Sequence, residues 1–336
     1  MKRYIGIDLG GTAIKGGVFS REGECICTME VPTLVERGFE PIAEDIARMV
    51  FQLAAENEKS EPGHVTSIEN KAVGAFSRES LKNICSVGIG IPGIADGVGF
   101  VKFCTNLAWT GVPLGERLRG YLGIPVFVDN DATVAGYAES VFGVTKGAKN
   151  SVFITLGTGI GGGIIVNNHI YSGSNGAGSE IGHMMIGDNF YNCSCGRNGC
   201  FETFASATAL LKYAEFRLSE KKDDSSLVAI WKSGQLTAKV IFDEAKKGDR
   251  LANEVVDRLA YYLAKGILNL YDILDPEIIA LGGGLSKAGD FLLERVRTKL
   301  QGNTLVKSIQ YGDIVMAKLG NDAGIVGAAM LGLNYL

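Results

Sequence analysis

Two apolar segments of this chain each end in a glycine-rich turn that contains a threonine, and this repeated pattern most restricts the possible folds. Residues 3–9 lead into the turn at 10–12, and residues 151–156 lead into the turn at 157–163. After each turn the chain returns as another apolar segment. Short apolar segments separated by glycine turns predict paired β-strands. The repetition indicates a weak internal duplication, with two halves built on the same plan.

Helical and strand-like patterns alternate along the rest of the chain. One face of a predicted helix at 39–58 carries Ile42, Ile46, Met49, Val50 and Leu53. Further strands are predicted at 14–19, 24–31, 86–91, 125–129, 163–166, 277–281 and 312–316, and further helices at 132–142, 205–219, 238–247, 250–271, 288–300 and 322–333. Strands that alternate with helices indicate an α/β fold. A length of 336 residues favours two domains with a cleft between them. We place the smaller domain at 1–124 plus 322–336, and the larger domain at 125–321.

The composition excludes several classes of protein. Hydrophobic residues make up 46% and charged residues 21%, as in soluble globular proteins. A net charge of −4 does not predict a nucleic-acid partner. No apolar run approaches the roughly 20 residues that a membrane helix needs. The amino terminus does not resemble a signal peptide, so we expect a cytoplasmic protein with no membrane partner.

One short segment contains most of the soft metal ligands of the chain. His183, Cys193, Cys195 and Cys200 are three thiols and one imidazole, the ligand set of a tetrahedral structural zinc site. Four protein ligands leave no open position for water, so the predicted zinc ion is structural. Free cysteines are also often simply buried. Disulfides are disfavoured, because the chain has seven cysteines and no secretory signal is expected.

The glycine turns are candidates for binding phosphate. Glycines allow backbone N–H groups to face an anion closely, and a threonine hydroxyl adds a donor. The candidate residues are Asp8, Gly10, Gly11, Thr12 and Lys15 at the first turn, Gly157, Thr158, Gly159 and Gly161 at the second, and Gly283 and Gly284 after the strand at 277–281. Asp8 is an oxygen ligand of the kind that holds hydrated Mg²⁺. A glycine-rich hairpin can also be only a hairpin, but matching turns favour a nucleotide. Neither turn is a P-loop, and no dinucleotide motif is present.

Taken together, these motifs resemble the ROK family of sugar kinases and repressors. The resemblance rests on Asp8-Leu9-Gly10-Gly11-Thr12, Asn130-Asp131, the turn from Gly157 to Gly161, Glu180-Ile181-Gly182-His183, and the pattern CxCGxxGCxE that begins at Cys193. It covers nearly the whole chain in order, and the pattern is nearest to the bacterial glucokinases. It implies the ribonuclease H-like fold of actin and hexokinase, with ATP phosphates at the first two turns and the adenosine near Gly282, Gly283 and Gly284. It also implies a homodimer or a dimer of dimers.

The resemblance further implies a sugar kinase with Asp131 as the catalytic base. Asp131 would accept the proton of the 6-hydroxyl of glucose as that oxygen attacks the γ-phosphorus of ATP. An alternative interpretation of Asp131 is a cap for the helix that starts at Ala132. The residues implied to bind the sugar are Asn106, Asn130, Asp131, Glu180, His183 and Glu202. His183 would bind zinc through one ring nitrogen and a sugar oxygen through the other. Such an enzyme delivers glucose 6-phosphate to glycolysis.

Several alternatives remain open within and beyond this interpretation. An N-acetylated hexosamine, fructose or a β-glucoside are other family substrates, and polyphosphate is another phosphoryl donor. A sugar-sensing repressor is disfavoured because the chain begins at the first phosphate-turn strand and contains Asp8, Gly10 and Asp131. An actin-like ATPase that moves a protein partner is disfavoured by the Cys/His segment with its two flanking glutamates. The segment at 59–80 is interpreted as an insertion of unassigned role.

Overall fold

A computed structural model describes residues 2–59, 64–65, 67–68, 71–220 and 224–336 of the chain. The β-strands are β1 (Arg3–Leu9), β2 (Ala13–Phe19), β3 (Cys25–Pro32), β4 (His64–Val65), β5 (Ile84–Ile91), β6 (Ile94–Ala95), β7 (Val101–Cys104), β8 (Trp109–Val112), β9 (Val126–Asn130), β10 (Ser151–Leu156), β11 (Ile160–Val166), β12 (His169–Ile170), β13 (Ile278–Gly282) and β14 (Asp313–Met316). The predicted α/β alternation is therefore confirmed.

The α-helices follow the predicted positions closely. They are α1 (Phe39–Glu56), α2 (Leu114–Leu122), α3 (Asp131–Phe142), α4 (Glu202–Ala205), α5 (Ala207–Ser219), α6 (Leu227–Lys232), α7 (Ala238–Lys246), α8 (Arg250–Leu274), α9 (Asp290–Leu300) and α10 (Ala323–Tyr335). Of these, α2, α4 and α6 were not predicted. Among the described residues, no helix combines the length and the apolar character that crossing a bilayer requires.

Contacts between Cα atoms divide the chain into two compact units. The first unit comprises residues 1–147, 163–179 and 319–336, and the second comprises 148–162 and 180–318. Compared with the predicted domains, residues 125–147, 163–179 and 319–321 group with the first unit. The reason is strand pairing, since β9 pairs in parallel with β5 and α3 then packs on α10.

The first unit is built on a six-stranded sheet with the order β4-β3-β2-β1-β5-β9. The meander of β1, β2 and β3 is antiparallel, as predicted, whereas β5 and β9 add in parallel. The residues predicted for the apolar face of α1 are all fully buried: Ile42, Ile46, Met49, Val50 and Leu53. On the sheet, Gly6 and Gly88 lie so close to the backbone of α10 that no side chain fits there.

Parts of the first unit were not visible in the sequence pattern. A second, small antiparallel sheet is formed by β6, β7 and β8 within residues 94–112. Of the predicted insertion at 59–80, residues 60–63, 66 and 69–70 lie outside the described residues. The described residues of this segment include β4, which pairs in parallel with β3. The insertion therefore contributes a strand to the main sheet.

The second unit is built on parallel strands in the order β10-β13-β14, with β11 starting beside β10. Its longest helix, α8, packs against α4, α5, α7 and α9. The buried face of α8 includes Leu251, Val255, Leu259, Leu263 and Ile267, each with at most 1% of its surface exposed. Residues four apart lie on the same face of a helix, so this spacing marks one buried face. The strands β10 and β13 end at the same edge, where their glycine turns follow.

Candidate active site

Asn130 and Asp131 form a polar pair at the junction where β9 ends and α3 begins. The cap of α3 is Asn130, whose Oδ1 accepts hydrogen bonds from the N–H groups of Ala132 (2.9 Å) and Thr133 (3.1 Å). Asn130 also donates through Nδ2 to the carbonyl of Gly93 (3.1 Å). Asp131 is the first residue inside the helix. The capping role considered for Asp131 thus belongs mainly to its neighbour, although Asp131 Oδ1 also accepts from Ala132 N–H (2.7 Å).

The first glycine turn is held from behind by a buried threonine. Thr33 donates from its hydroxyl to the carbonyl of Gly10 (2.6 Å) and from its N–H to the carbonyl of Thr12 (3.0 Å). Gly10 N–H donates across the turn to Ala13 (3.0 Å). Thr33 follows β3 and had no signal in the sequence, because the turn it supports is some twenty residues away. Hydrogen bonds from outside the hairpin therefore fix the backbone conformation of this turn.

Asp8 lies at the end of β1, opposite Lys15 in the antiparallel register with β2. Burial raises the pKa of the Asp8 carboxyl, and the positive charge of Lys15 opposes this shift. Gly324, at the start of α10, lies beside the Asp8 carboxylate, and a Cβ there would be 3.3 Å from Oδ2. Lys15 is also within 3.8 Å of Glu30 on β3. The first turn therefore has one partly buried carboxylate and one exposed cation beside it.

The small sheet connects the first turn to the polar pair. Asn106 lies in a short 3₁₀ turn after β7, and its backbone carbonyl would be 3.3 Å from a Cβ on Gly11. Gly93, the acceptor for Asn130, packs against the backbone of Phe103 and Cys104 in β7. The strand β7 and the 3₁₀ turn after it were not predicted. They connect three residues that were predicted for the site: Gly11, Asn106 and Asn130.

In the second unit, the glycine turn between β10 and β11 meets the start of α5. Gly157 N–H donates to the carbonyl of Gly159 (3.0 Å), and the carbonyl of Gly157 accepts from Ala207 N–H (2.9 Å). Gly283 has a φ of 80° and lies against the backbone of Leu156. The turns after β10 and β13 are therefore adjacent, as expected for neighbouring parallel strands. Gly284 begins the next 3₁₀ turn, and Gly161 lies within β11.

His183, Cys193, Cys195 and Cys200 form a group that can hold a metal ion. Their ligand atoms all lie within 4.8 Å of one another. Cys195 Sγ is 3.5 Å from Cys200 Sγ, and Cys193 Sγ is 3.6 Å from His183 Nδ1. Ligands at the ~2.1–2.3 Å bond lengths of tetrahedral zinc are about 3.4–3.8 Å apart. The group thus has the ligand types and the spacing of a structural zinc site.

The thiols of this group differ in how readily they ionise. Hydrogen bonding from the backbone and side chain of Arg197 lowers the pKa of Cys195 to about 6. Burial, together with hydrogen bonding to Glu202, raises the pKa of Cys193 to about 12. Burial also raises the pKa of Cys200. A metal ion binds thiolates, so binding to this group must release protons.

The three remaining residues implied to bind sugar lie in or beside this group: His183 belongs to it, and Glu180 and Glu202 lie next to it. His183 directs Nδ1 toward Cys193 and has Nε2 3.9 Å from Glu180 Oε2. Glu202, the first residue of α4, accepts a hydrogen bond from Cys193 Sγ at Oε1 (2.8 Å). Its Oε2 faces the second glycine turn, because a Cβ on Gly159 would be 2.6 Å from it. One carboxylate therefore touches both the Cys/His group and the glycine turn.

A cavity of about 270 Å³ lies beside this carboxylate. It is lined by Thr158, Gly159, Tyr191, Asn192, Cys193, Ser194, Glu202, Thr203, Ser206, Thr208 and Lys212. The Nζ of Lys212 lies 4.2 Å from the centre of the Tyr191 ring. Lys212 and Ser206, the cap of α5, had no distinguishing signal in the sequence, since neither belongs to a motif. The cavity adds a cation and hydroxyl groups to the predicted phosphate turn.

Comparison with known proteins agrees with this geometry. The ROK family model matches residues 58–334. The glucokinase of Halalkalibacterium halodurans is 38% identical over 330 residues, which cover 98% of this chain and 94% of the relative. The xylose repressor of Caldicellulosiruptor bescii is 29% identical over 328 residues, which cover 96% of this chain and 76% of the repressor.

A solved structure with the same fold is the ROK family glucokinase from Streptomyces griseus, in complex with glucose and AMPPNP. It is 31% identical, covers 98% of both chains and superimposes with a TM-score of 0.73. The predicted fold class, that of actin and hexokinase, is therefore confirmed. Because the family model spans most of the sequence and a relative is 38% identical over nearly its full length, the chain belongs to the ROK family.

Proposed function

We propose that the chain is an ATP-dependent kinase that phosphorylates the 6-hydroxyl of glucose and releases glucose 6-phosphate and ADP. The observation that carries this proposal is the position of Asp131 at the start of α3. Asn130 accepts from the N–H groups of both Ala132 and Thr133, so the cap of α3 does not depend on Asp131 alone. A carboxylate at the amino terminus of a helix, after a buried strand, suits a base aimed at a bound hydroxyl.

The proposed reaction uses one carboxylate and many positioning groups. Asp131 accepts the proton of the 6-hydroxyl while that oxygen forms a bond to the γ-phosphorus. The bond from the γ-phosphorus to the bridging oxygen breaks, and ADP leaves with that electron pair. Phosphoryl transfer depends mainly on positioning and on stabilisation of charge, so backbone N–H groups of the two glycine turns would hold the phosphates. Lys15 and Lys212 add positive charge near those turns.

The side chains proposed to hold the sugar are those of Asn106, Asn130, Asp131, Glu180, His183 and Glu202. Buried sugar hydroxyls need hydrogen-bond partners, because they lose their water on binding. His183 supports this role, since Nδ1 faces the thiols and Nε2 points toward Glu180. A metal at Nδ1 would fix the tautomer in which Nε2 donates to a sugar oxygen.

Two metal ions complete the proposal. The residues His183, Cys193, Cys195 and Cys200 would hold zinc, which supplies structural cross-linking and no open coordination position. Asp8 would hold a water ligand of Mg²⁺, which neutralises phosphate charge when ATP binds. The partly buried Asp8 carboxylate fits this ion, because Mg²⁺ prefers oxygen ligands. We further propose a homodimer, or a dimer of dimers, that works in the cytoplasm.

The test is an ADP-release assay with ATP and Mg²⁺, run on glucose, fructose, mannose, N-acetylglucosamine, N-acetylmannosamine and a β-glucoside. We expect turnover to be highest on glucose. A higher kcat/KM on an acetylated sugar, on fructose or on a β-glucoside would keep the kinase and reject glucose as the substrate. Replacing ATP by polyphosphate tests the donor. Binding of a sugar without turnover on any donor would instead support a sugar-sensing regulator.

A further inference from the structure

Glu139 is a fully buried acid that the proposed mechanism does not use. It lies on α3, eight residues after Asp131, and none of its surface is exposed. Its Oε2 accepts a hydrogen bond from the N–H of Val144 (2.8 Å), and its Oε1 accepts one from the N–H of Leu319 (2.8 Å). These two N–H groups are distant in sequence, and Leu319 is 180 residues from Glu139. One carboxylate therefore joins two separate stretches of backbone.

Both stretches are places where the chain passes between the two units. The chain leaves the first unit for the first time after residue 147 and enters it for the last time at residue 319. Val144 lies just before the first passage, and Leu319 is the first residue after the second. Gly143 makes room for this arrangement, because a Cβ on Gly143 would occupy the position of Glu139 Oε2.

A third passage also rests on α3. The chain enters the first unit at Gly163, within β11. A Cβ on Gly163 would be 2.8 Å from the carbonyl of Ala132 and 3.1 Å from the Cα of Gly136. The backbone of β11 thus lies directly on the first two turns of α3. Three of the four passages between the units, at 147, 163 and 319, are therefore held by the helix that begins with Asp131.

Local physical chemistry does not favour an acid at this position. A negative charge in the last turn of a helix opposes the helix dipole. Burial of a carboxylate is also unfavourable unless hydrogen bonds compensate. Glu139 is buried and lies in the last turn of α3, and the N–H groups of Val144 and Leu319 donate hydrogen bonds that help to compensate its burial. The side chain of Glu139 is therefore suited to fixing the backbone at Val144 and at Leu319.

We infer that Glu139 is a positioning residue that fixes the chain passages relative to the proposed base. This inference rests on the proposed function, in which Asp131 is the base. Asp131 can accept a proton from a bound hydroxyl only while α3 keeps one defined position, and Glu139 ties this helix to the backbone at Val144 and Leu319. Misplacement of reacting groups by about 1 Å can lower a rate about 100-fold.

The test compares Glu139→Gln with a matched control, Asp45→Asn. Glutamine has nearly the same shape, but its Nε2 is a donor and cannot accept from a backbone N–H. Asp45 is another buried acid of the first unit, on α1, where it pairs with Arg37 and Arg48. Each variant is measured for kcat at saturating glucose and ATP, for unfolding temperature, and for amide hydrogen exchange of peptides that cover 143–147 and 318–321.

We expect Glu139→Gln to lower kcat about 10- to 100-fold and to speed exchange at both peptides. The control is expected to lower the unfolding temperature while kcat stays within about twofold. The inference is overturned if Glu139→Gln keeps normal kcat, if exchange at Val144 and Leu319 is unchanged, or if the control loses as much kcat. If the wild type phosphorylates no sugar, the proposed function fails. The exchange measurement still decides whether Glu139 holds the two passages.

Discussion

Tyr335, near the end of α10, donates a hydrogen bond of 2.7 Å to Oδ2 of Asp129, which lies 206 residues earlier in β9. Asp129 directly precedes the pair Asn130 and Asp131, and only 1% of its surface is exposed. Asn130 N–H donates to the other oxygen, Oδ1 (2.8 Å). Burial raises the pKa of Asp129, although these hydrogen bonds act in the opposite direction. A buried carboxylate thus supports the strand end that carries the proposed base.

Asp129→Asn is expected to change how stability depends on pH. The folded-state pKa of Asp129 is raised above its unfolded value of about 3.9, so the folded protein binds the proton more tightly. The wild type therefore loses stability as pH rises from about 4 to the folded-state pKa, by at most about 1.4 kcal/mol per pH unit. Asparagine has nearly the same shape as aspartate but does not titrate, so the variant does not lose stability in this way as pH rises.

The measurement is urea denaturation of both proteins between about pH 4 and pH 8. The difference in unfolding free energy between variant and wild type should shift in favour of the variant as pH rises, and then become constant. Parallel pH profiles would show that Asp129 titrates alike in the folded and unfolded states, contrary to this expectation.

Asp131→Asn is expected to lower kcat about 10²- to 10⁴-fold, the usual contribution of a general base. The KM for glucose should change little, because the amide keeps the size of the side chain and one of its two acceptor oxygens. A suitable control is Asp290→Asn, which alters the acid in the first turn of α9 in the same way. Steady-state kinetics of both variants tests whether Asp131 is the base. A kcat of Asp131→Asn within tenfold of the wild-type value would exclude that role.

Cys195→Ser is expected to weaken zinc binding. Structural zinc sites bind with about 10–16 kcal/mol, so the loss of one ligand in four removes roughly 3 kcal/mol, or about 100-fold in affinity. Zinc content after dialysis against a chelator, together with the unfolding temperature, measures the effect. Cys25→Ser is the control, since Cys25 is an exposed thiol outside the group. Equal zinc content in both variants would argue against the predicted ligand set.

Gly159→Ala is expected to raise the KM for glucose about tenfold, which corresponds to about 1.4 kcal/mol. The added methyl would be 2.6 Å from Glu202 Oε2 and would force that carboxylate to move. The same change at Gly157 meets no atom of the described chain within 4 Å, so Glu202 is not displaced. We therefore expect the KM for glucose, measured at saturating ATP, to stay unchanged in Gly157→Ala. Similar KM values for the two variants would contradict a role for Glu202 in holding the sugar.

Sequence reasoning was accurate where the relevant information is local. The apolar face of α1, the antiparallel meander of the first three strands and the grouping of His183 with Cys193, Cys195 and Cys200 are all confirmed by the structure. Each depends on residues close together along the chain, so periodicity or spacing is enough to reveal it. The strands β4, β6, β7, β8 and β12 were missed, because each has only two to four residues and none lies in a continuous apolar run like that of β14.

The sequence by itself therefore determined the α/β class, the family, the glycine turns and the Cys/His group. Only the tertiary structure decided that Asn130 caps α3, that Glu202 touches both Cys193 and the second glycine turn, and that Tyr335 supports Asp129. It also decided that Glu139 joins Val144 to Leu319. The physical reason is that a buried polar group must find a partner wherever packing provides one. When that partner comes from a distant part of the chain, no local pattern records it.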